Sequence, residues 1–235
     1  MGPNPTVLRR TTDVTESRAL RRRPRLNLRV LMALVLTIGV ALGWIVRMNH
    51  AARIQRDAVA EIRKAGGTVW YDWQWKDDAP VTDGAPAWPN WLVDALGIDY
   101  FSSVVLVDLG PLASDSVLVH VGRIRRLEVL ILTGGSMTDA GLIHLKGLTR
   151  LRWLALDRNS INQTSDISDA GIENLKSLPD LRRVFLYGPR VTDVSLAHLR
   201  GLANLEDLRL DSTRVTARAL QDLQGTRPGL KIAHW

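Results

Sequence analysis

Over 235 residues the chain carries 31 Lys and Arg against 24 Asp and Glu, a formal net charge of +7, and no cysteine. Lack of cysteine excludes a disulfide framework, a Cys-ligated metal site and a thiol nucleophile. Eight arginines and two acids fall in residues 1–29, a net +6, so the other 206 residues hold 23 basic and 22 acidic side chains and are close to neutral. The charge therefore marks a tail, and 46% hydrophobic residues suffice for a sizeable core in the rest.

The tail (residues 1–29) has Pro3, Pro5 and Pro24 among polar residues, a composition expected to be disordered. It lacks the interleaved aromatics that stack bases, so nucleic acid is not an expected partner. Arginines beside a membrane are drawn to anionic head groups instead. Val30–Val46 follows, 17 residues without a charge. As a helix it spans ~25 Å, just short of a ~30 Å hydrocarbon core. Arg29 and Arg47 can snorkel at its ends, and Trp44 suits the interface. A buried core helix seldom follows a run such as RRRPRLNLR, so the segment reads as a transmembrane helix. Positive-inside places the tail in the cytoplasm and the remainder outside it, in the periplasm or on the cell surface. A cleaved signal peptide is the competing reading, with Ala41-Leu42-Gly43 as a weak cleavage site and a loose twin-arginine match at Arg22-Arg23. The basic region is long for a signal, which favours an uncleaved anchor.

Residues 47–65 place Ala51, Ile54, Ala58, Val59, Ile62 and Ala65 at helical spacing and read as a helical stalk stopped by Gly66-Gly67. The period then changes. Val69, Tyr71, Trp73 and Trp75 alternate with Trp70, Asp72, Gln74 and Lys76, which predicts one strand over Thr68–Lys76. A loop rich in Asp, Pro and Gly leads to Asn90, a candidate cap for a short helix. Five of the eight tryptophans lie between Trp70 and Trp91. A carbohydrate-binding shelf is one reading of them. The preferred one, over residues 66–103, is a cap that closes the exposed end of a repeat array.

That array begins at Val104. Units start at Val104, Leu127, Leu151, Leu181 and Leu205, and a partial strand starts at Leu230, giving periods of 23, 24, 30, 24 and 25. The long period is a normal one plus a six-residue insertion at Asn162–Ile167. In LEVLILTGGSMTDAGLIHLKGLTR, Leu127, Leu130 and Leu132 form the inward side of a strand. Thr138-Asp139 offers oxygens to a helix start, and Leu142, Leu145 and Leu148 bury that helix. One unit cannot bury its own apolar face, so units stack into a parallel sheet with helices outside.

This pattern resembles the leucine-rich-repeat family, in its ribonuclease-inhibitor-like branch, whose bacterial members carry the same TDAGL and HLKGL phrases. The resemblance covers residues 104–235. It implies an α/β solenoid with a parallel sheet on the concave face and helices on the convex face, and a function of binding proteins. The turn position after each strand holds Gly135, Asn159, Pro189 and Thr213, so hydrogen bonding along that column is expected to be irregular.

Strand positions between the leucines face the concave surface in this fold. The candidate binding residues are Val129, Ile131, Trp153, Asp157, Arg183, Phe185, Tyr187, Asp207, Arg209 and Asp211, apolar-aromatic in units two to four and charged in unit five. The competing reading is that the insertion or the stalk covers this face. His120, His144 and His198 recur at one helix position, with Asn174 and Asp222 in the same column. Repetition explains them better than a zinc site, which needs three or four ligands. No hydrolase, Walker or dinucleotide motif is present, Asp166 and Asp169 lack a calcium-loop pattern, and no catalytic residue, metal or cofactor is called for. Asp169 is expected to cap a helix as Asp139 and Asp193 do. Asn162-Gln163-Thr164 matches the glycosylation sequon. The sequence thus predicts a membrane-anchored module that binds a protein or cell-envelope ligand, of unknown oligomeric state. A self-associating envelope protein, or an enzyme using the histidine column, is the alternative.

Overall fold

The computed structural model describes residues 28–157 and 166–234. The basic tail through residue 27, the sequon and residues 158–165 of the inserted region lie outside the described residues, as does the side chain of Asp157. The chain divides into two units, Met1–Trp44 and Ile45–Trp235, and the division falls inside helix α1 (Leu28–Lys64). In the first unit every residue from Leu31 to Trp44 is exposed and uncharged, in a helix apolar and long enough by composition to cross a membrane.

The second unit starts with the outer part of α1. The expected stalk is a layer of the core: Ala52, Ala58, Val59, Ile62 and Ala65 are all buried on one helical face. Polar groups fix its position. Gln55 donates to the Asp99 carboxylate and the Ser102 carbonyl, both at 2.9 Å, and accepts from the Val104 amide at 3.1 Å. The Tyr71 hydroxyl donates to the same Asp99 at 3.3 Å, and burial, then the Asp99 charge, push its pKa up to about 12. Gly66 ends the helix at φ 76°, a conformation that favours glycine. A Cβ on the following Gly67 would sit 2.8 Å from both the Asp108 carbonyl oxygen and Ile62 Cγ2, so the chain passes there only without a side chain.

Strand β1 (Thr68–Tyr71) follows after a three-residue link and pairs antiparallel with β4 (Val104–Leu109). The predicted strand through Lys76 is broken. Residues 72–74 turn, with the Gln74 amide donating to the Tyr71 carbonyl at 2.8 Å and the Gln74 side chain accepting from the Tyr71 amide at 3.0 Å. A separate hairpin then pairs β2 (Trp75–Lys76) with β3 (Ala79–Pro80) around Asp77 and Asp78, at φ 52° and 62°. Positive φ at both central residues is type I′ geometry, which matches strand twist. Helix α2 (Asn90–Leu96) starts one residue earlier than expected: Pro89 holds the cap position, no side chain caps it, and none of its residues is buried.

The repeats then alternate β4, α3 (Asp115–Val121), β5 (Val129–Thr133), α4 (Asp139–Leu142), β6 (Trp153–Asp157), α5 (Asp169–Ile172), β7 (Arg183–Tyr187), α6 (Asp193–Leu199), β8 (Asp207–Asp211), α7 (Ala217–Thr226) and β9 (Lys231–His234). After α4 and α5 the chain tightens to 3₁₀ turns, Ile143–Gly147 and Glu173–Ser177. The sheet runs β1-β4-β5-β6-β7-β8-β9, parallel from β4 onward. In-register pairing stacks Val107, Leu130, Leu154, Val184 and Leu208 in one column, each fully buried. Leu142, Leu145 and Leu148 close the other side, as the repeat pattern requires. Burying one such leucine is worth about 2 kcal/mol.

A polar ladder joins the helical side. Thr138, Ser168 and Thr192 cap their own helices, each accepting from the amide two residues on. The acids beside them, expected as caps, reach sideways into the next unit. Asp115 accepts from the amide and hydroxyl of Thr138, at 2.9 and 2.7 Å. Asp139 takes the same two bonds from Ser168, Asp169 from Thr192, and Asp193 from Thr216. A carboxylate in the first helical turn meets the positive end of its helix while it orders the neighbouring cap.

Candidate functional site

Register sorts the expected binding residues into rows on the face turned away from the helices. Val129, Trp153, Arg183 and Asp207 share one row with Leu106 and Lys231. Ile131, Phe185 and Arg209 share the next with Asp108, Ala155 and Ala233. Beyond these rows, Thr133 pairs with Asp157 and Tyr187 with Asp211 in the sheet. Alternation of burial along β7 and β8 fits this assignment, leucine and valine inward and the intervening residues outward.

The rows are unequally accessible. Leu106, Val129 and Ala155 are 5%, 0% and 3% exposed although they point away from the interior. The Trp-rich segment accounts for this. Trp75 meets Trp70 edge to face with ring centres 5.9 Å apart, and Trp70 lies next to Leu106 in the sheet. Asp78, at the tip of the β2–β3 hairpin, pairs with Arg183 at 3.2 Å. The segment from Tyr71 to Asp78 therefore reaches from the β1 edge to β7, crossing the strands that carry the three buried residues. Trp73 turns the other way and packs against the interior core. The sequence offers only an Asp-, Pro- and Gly-rich loop here, and nothing local reveals the hairpin or where its tip lands.

Beyond the hairpin the face is open. A cleft of about 530 Å³ is lined by Trp153, Arg183, Phe185, Glu206, Asp207, Arg209, Gly229 and Lys231. It brings together five of the ten expected residues and leaves Val129 and Ile131 outside. The Arg183 guanidinium lies 5.5 Å from the Trp153 ring centre, and that of Arg209 lies 4.5 Å from Phe185. Trp153 and Phe185 meet edge to face at 5.7 Å. Arg209 also contacts Asp207 at 3.5 Å, and Glu206 contacts Arg182 at the same distance. Lys231 makes no ion pair among the described residues, and the Trp153 indole N–H is buried without a protein acceptor. The cleft therefore offers flat aromatic surface with fixed cations above it and one lysine free to take a negative group.

On the opposite side, His120, His144 and His198 sit on the first, second and fourth units, with Asn174 in the third. Among the described residues no group of three or more His, Asp or Glu side chains is placed to hold a metal ion. In the turn column, Gly135 adopts φ 88°, and the Thr213 hydroxyl is buried without a partner.

No family model matches the chain, and no curated protein matches it. Among solved structures, similar chains include leucine-rich-repeat proteins of bacteria. One from Leptospira interrogans is 22% identical over 48% of this chain and 27% of its own, with a TM-score of 0.35. The internalin InlF of Listeria monocytogenes is 24% identical over 49% and 36%, with a TM-score of 0.33. Internalin C2 of the same species is 17% identical over 58% and 71%, with a TM-score of 0.34. The chain thus spans about a third or less of the first two. The repeat period and the parallel ladder themselves define the architecture, an α/β repeat solenoid built on one parallel sheet.

Proposed function

We propose that the chain is a membrane-anchored recognition module without chemistry of its own, which holds a protein segment in the cleft over β6–β9. The observation that carries this reading is the open cleft itself: paired aromatics under fixed guanidinium groups, with Lys231 left for an acidic side chain. Aromatic and arginine anchors in a partly desolvated pocket are the usual centres of binding energy. Phe185, Arg209 and Lys231 would make the central contacts, with Trp153, Arg183 and Asp207 shaping the floor and Tyr187 and Asp211 flanking it. Val129 has no exposed surface to offer, and Ile131 lies outside the cleft. The uncharged, exposed Leu31–Val46 stretch and the arginines before it support anchoring with the repeats outside the cytoplasm.

Two measurements test the reading. Full-length chain bearing Phe185→Ala with Arg209→Glu should lose the partners that wild type captures by cross-linking in the native membrane, with its circular dichroism unchanged. Capture that survives both changes overturns the cleft. Protease added to intact cells should digest the repeats; if they resist while a periplasmic or surface marker is cut, the topology is wrong.

A further inference from the structure

We propose that the base of the repeat domain is itself a lipid-binding surface: the α2 segment lies in the head-group layer, and the arginines beside it hold anionic phospholipid. This rests on the anchoring proposed above. Four observations carry it, all within the second unit.

The first is a run of large apolar side chains left exposed. Trp88, Trp91 and Leu96 are 48%, 70% and 47% exposed, Val81 is exposed as well, and α2 buries none of its residues. Tryptophans with one wet edge and one apolar face are suited to the membrane interface and are costly in open water. The second is the place of this segment along α1. The Tyr100 hydroxyl donates to the Asn49 side chain, and Asn49 lies three residues past Val46, or ~4.5 Å of helical rise beyond the end of the apolar run. Phe101 packs on Trp88 with ring centres 5.1 Å apart, and Arg56 donates to the Leu96 carbonyl at 3.1 Å. The aromatic segment is thus tied to the first turns of helix outside the run.

The third is charge. A cleft of about 910 Å³ beside the same turns is lined by Arg47, His50, Arg123, Arg125 and Arg126 together with Tyr100 and Phe101. None of these four arginines makes an ion pair among the described residues. The two carboxylates in the cleft are already engaged: Asp99 by Gln55, Tyr71 and Arg56, and Asp72 by the Ser103 amide at 3.2 Å. The fourth is that hydrogen bonds aim two of the guanidinium groups, Arg125 through the Gly147 carbonyl at 2.9 Å and Arg126 through the Ser103 hydroxyl at 3.2 Å. Exposed cations next to interfacial aromatics complement a phosphate-bearing apolar surface, whereas a soluble phosphate would leave the tryptophans in water.

The chain has no cysteine, so Trp91→Cys creates a single labelling site for an environment-sensitive fluorophore. Gln221→Cys, exposed on α7, is the control. Full-length protein is reconstituted into phosphatidylcholine vesicles with and without phosphatidylglycerol. The label at 91 should shift to the blue and be quenched by a lipid carrying a quencher near the head group, more strongly with phosphatidylglycerol. The label at 221 should read as water in both. Changing Arg123, Arg125 and Arg126 to Gln should abolish the phosphatidylglycerol increment, and added inorganic phosphate should leave the signal in place. If the protein floats with vesicles but the label at 91 reads as water, the lipid surface is wrong and the anchor stands. If it fails to float after a high-salt wash, the anchor falls and this proposal with it.

Discussion

At the scale of single residues, the acids beside the helix caps decide how one repeat holds the next. Asp169 accepts from the amides of Thr192 and Ser195 at 2.9 and 3.2 Å, from the Thr192 hydroxyl at 2.6 Å, and from the Ser195 hydroxyl. Replacing it by alanine strands four donors, Ser195 among them fully buried, and should cost about 3 kcal/mol by denaturant unfolding. Burial pushes its pKa up, but the bonds from Ser195 and Thr192 outweigh burial and hold it below the usual 3.8. A depressed folded value means stability that is complete above the ordinary carboxylate range and lost as pH falls through the folded pKa. Unfolding free energy should therefore drop on acidification below about pH 4, and Asp169→Asn should flatten that limb. An unchanged acid limb would show that other carboxylates set it. The fourth letter of TDAGL has the same cause. A Cβ on Gly171 would come 2.2 Å from Asp139 Oδ1 and 3.1 Å from its Cα, so Gly171→Ala should destabilise by about 1–3 kcal/mol. Unit four places Ser195 there instead and uses its hydroxyl as a donor. The helix starts were legible in the sequence because a cap acts two residues away, although the caps of α5 and α6 are Ser168 and Thr192 and not the expected Asp169 and Asp193. The lateral role of the acids was not, because it acts across a whole repeat.

At the scale of elements, the two surprises come from segments outside the repeat. Helical period located the outer part of α1, but a period shows only that one face is apolar. The same pattern serves a free stalk and a core layer, and the Gln55–Asp99–Tyr71 network that decides between them spans residues far apart in sequence. Ile62 has no exposed surface and should behave as a core residue, with Ile62→Ala costing about 3 kcal/mol in chemical unfolding. A stalk would tolerate that change with little effect. The β2–β3 hairpin is held differently. Its ion pair to Arg183 is about one-third exposed on each side and is worth little to global stability. Asp78→Ala should leave the unfolding midpoint nearly unchanged while speeding amide exchange over residues 75–80. Equal exchange in both proteins would mean that the tryptophan contacts alone hold the hairpin down.

At the scale of the whole molecule, the second unit is closed at one edge of its sheet and open at the other. Strand β4 has β1 on one side and β5 on the other, and Ala58 and Ile62 belong to the same core cluster as its Val104 and Val107. Among the described residues strand β9 pairs with β8 alone, and none of its four residues is buried. The aspartate ladder thins in the same direction. Asp193 bonds Thr216 through exposed atoms, and Ala217 stands in unit five where the other units have the acid. In a solenoid, stability is close to a sum of each unit and its nearest-neighbour interfaces, so a unit with one interface opens before a unit with two. Native-state hydrogen exchange should therefore rise from β4 and β5 toward β9, with the β9 amides exchanging through local opening and those of β4 only through global unfolding. Removing one rung of the ladder, with Asp193→Ala, should lower protection in α7 and β9 and leave β4 and β5 unchanged. Uniform loss across the sheet would instead show that the domain unfolds as a single cooperative unit, with the first and last repeats coupled through all those between them.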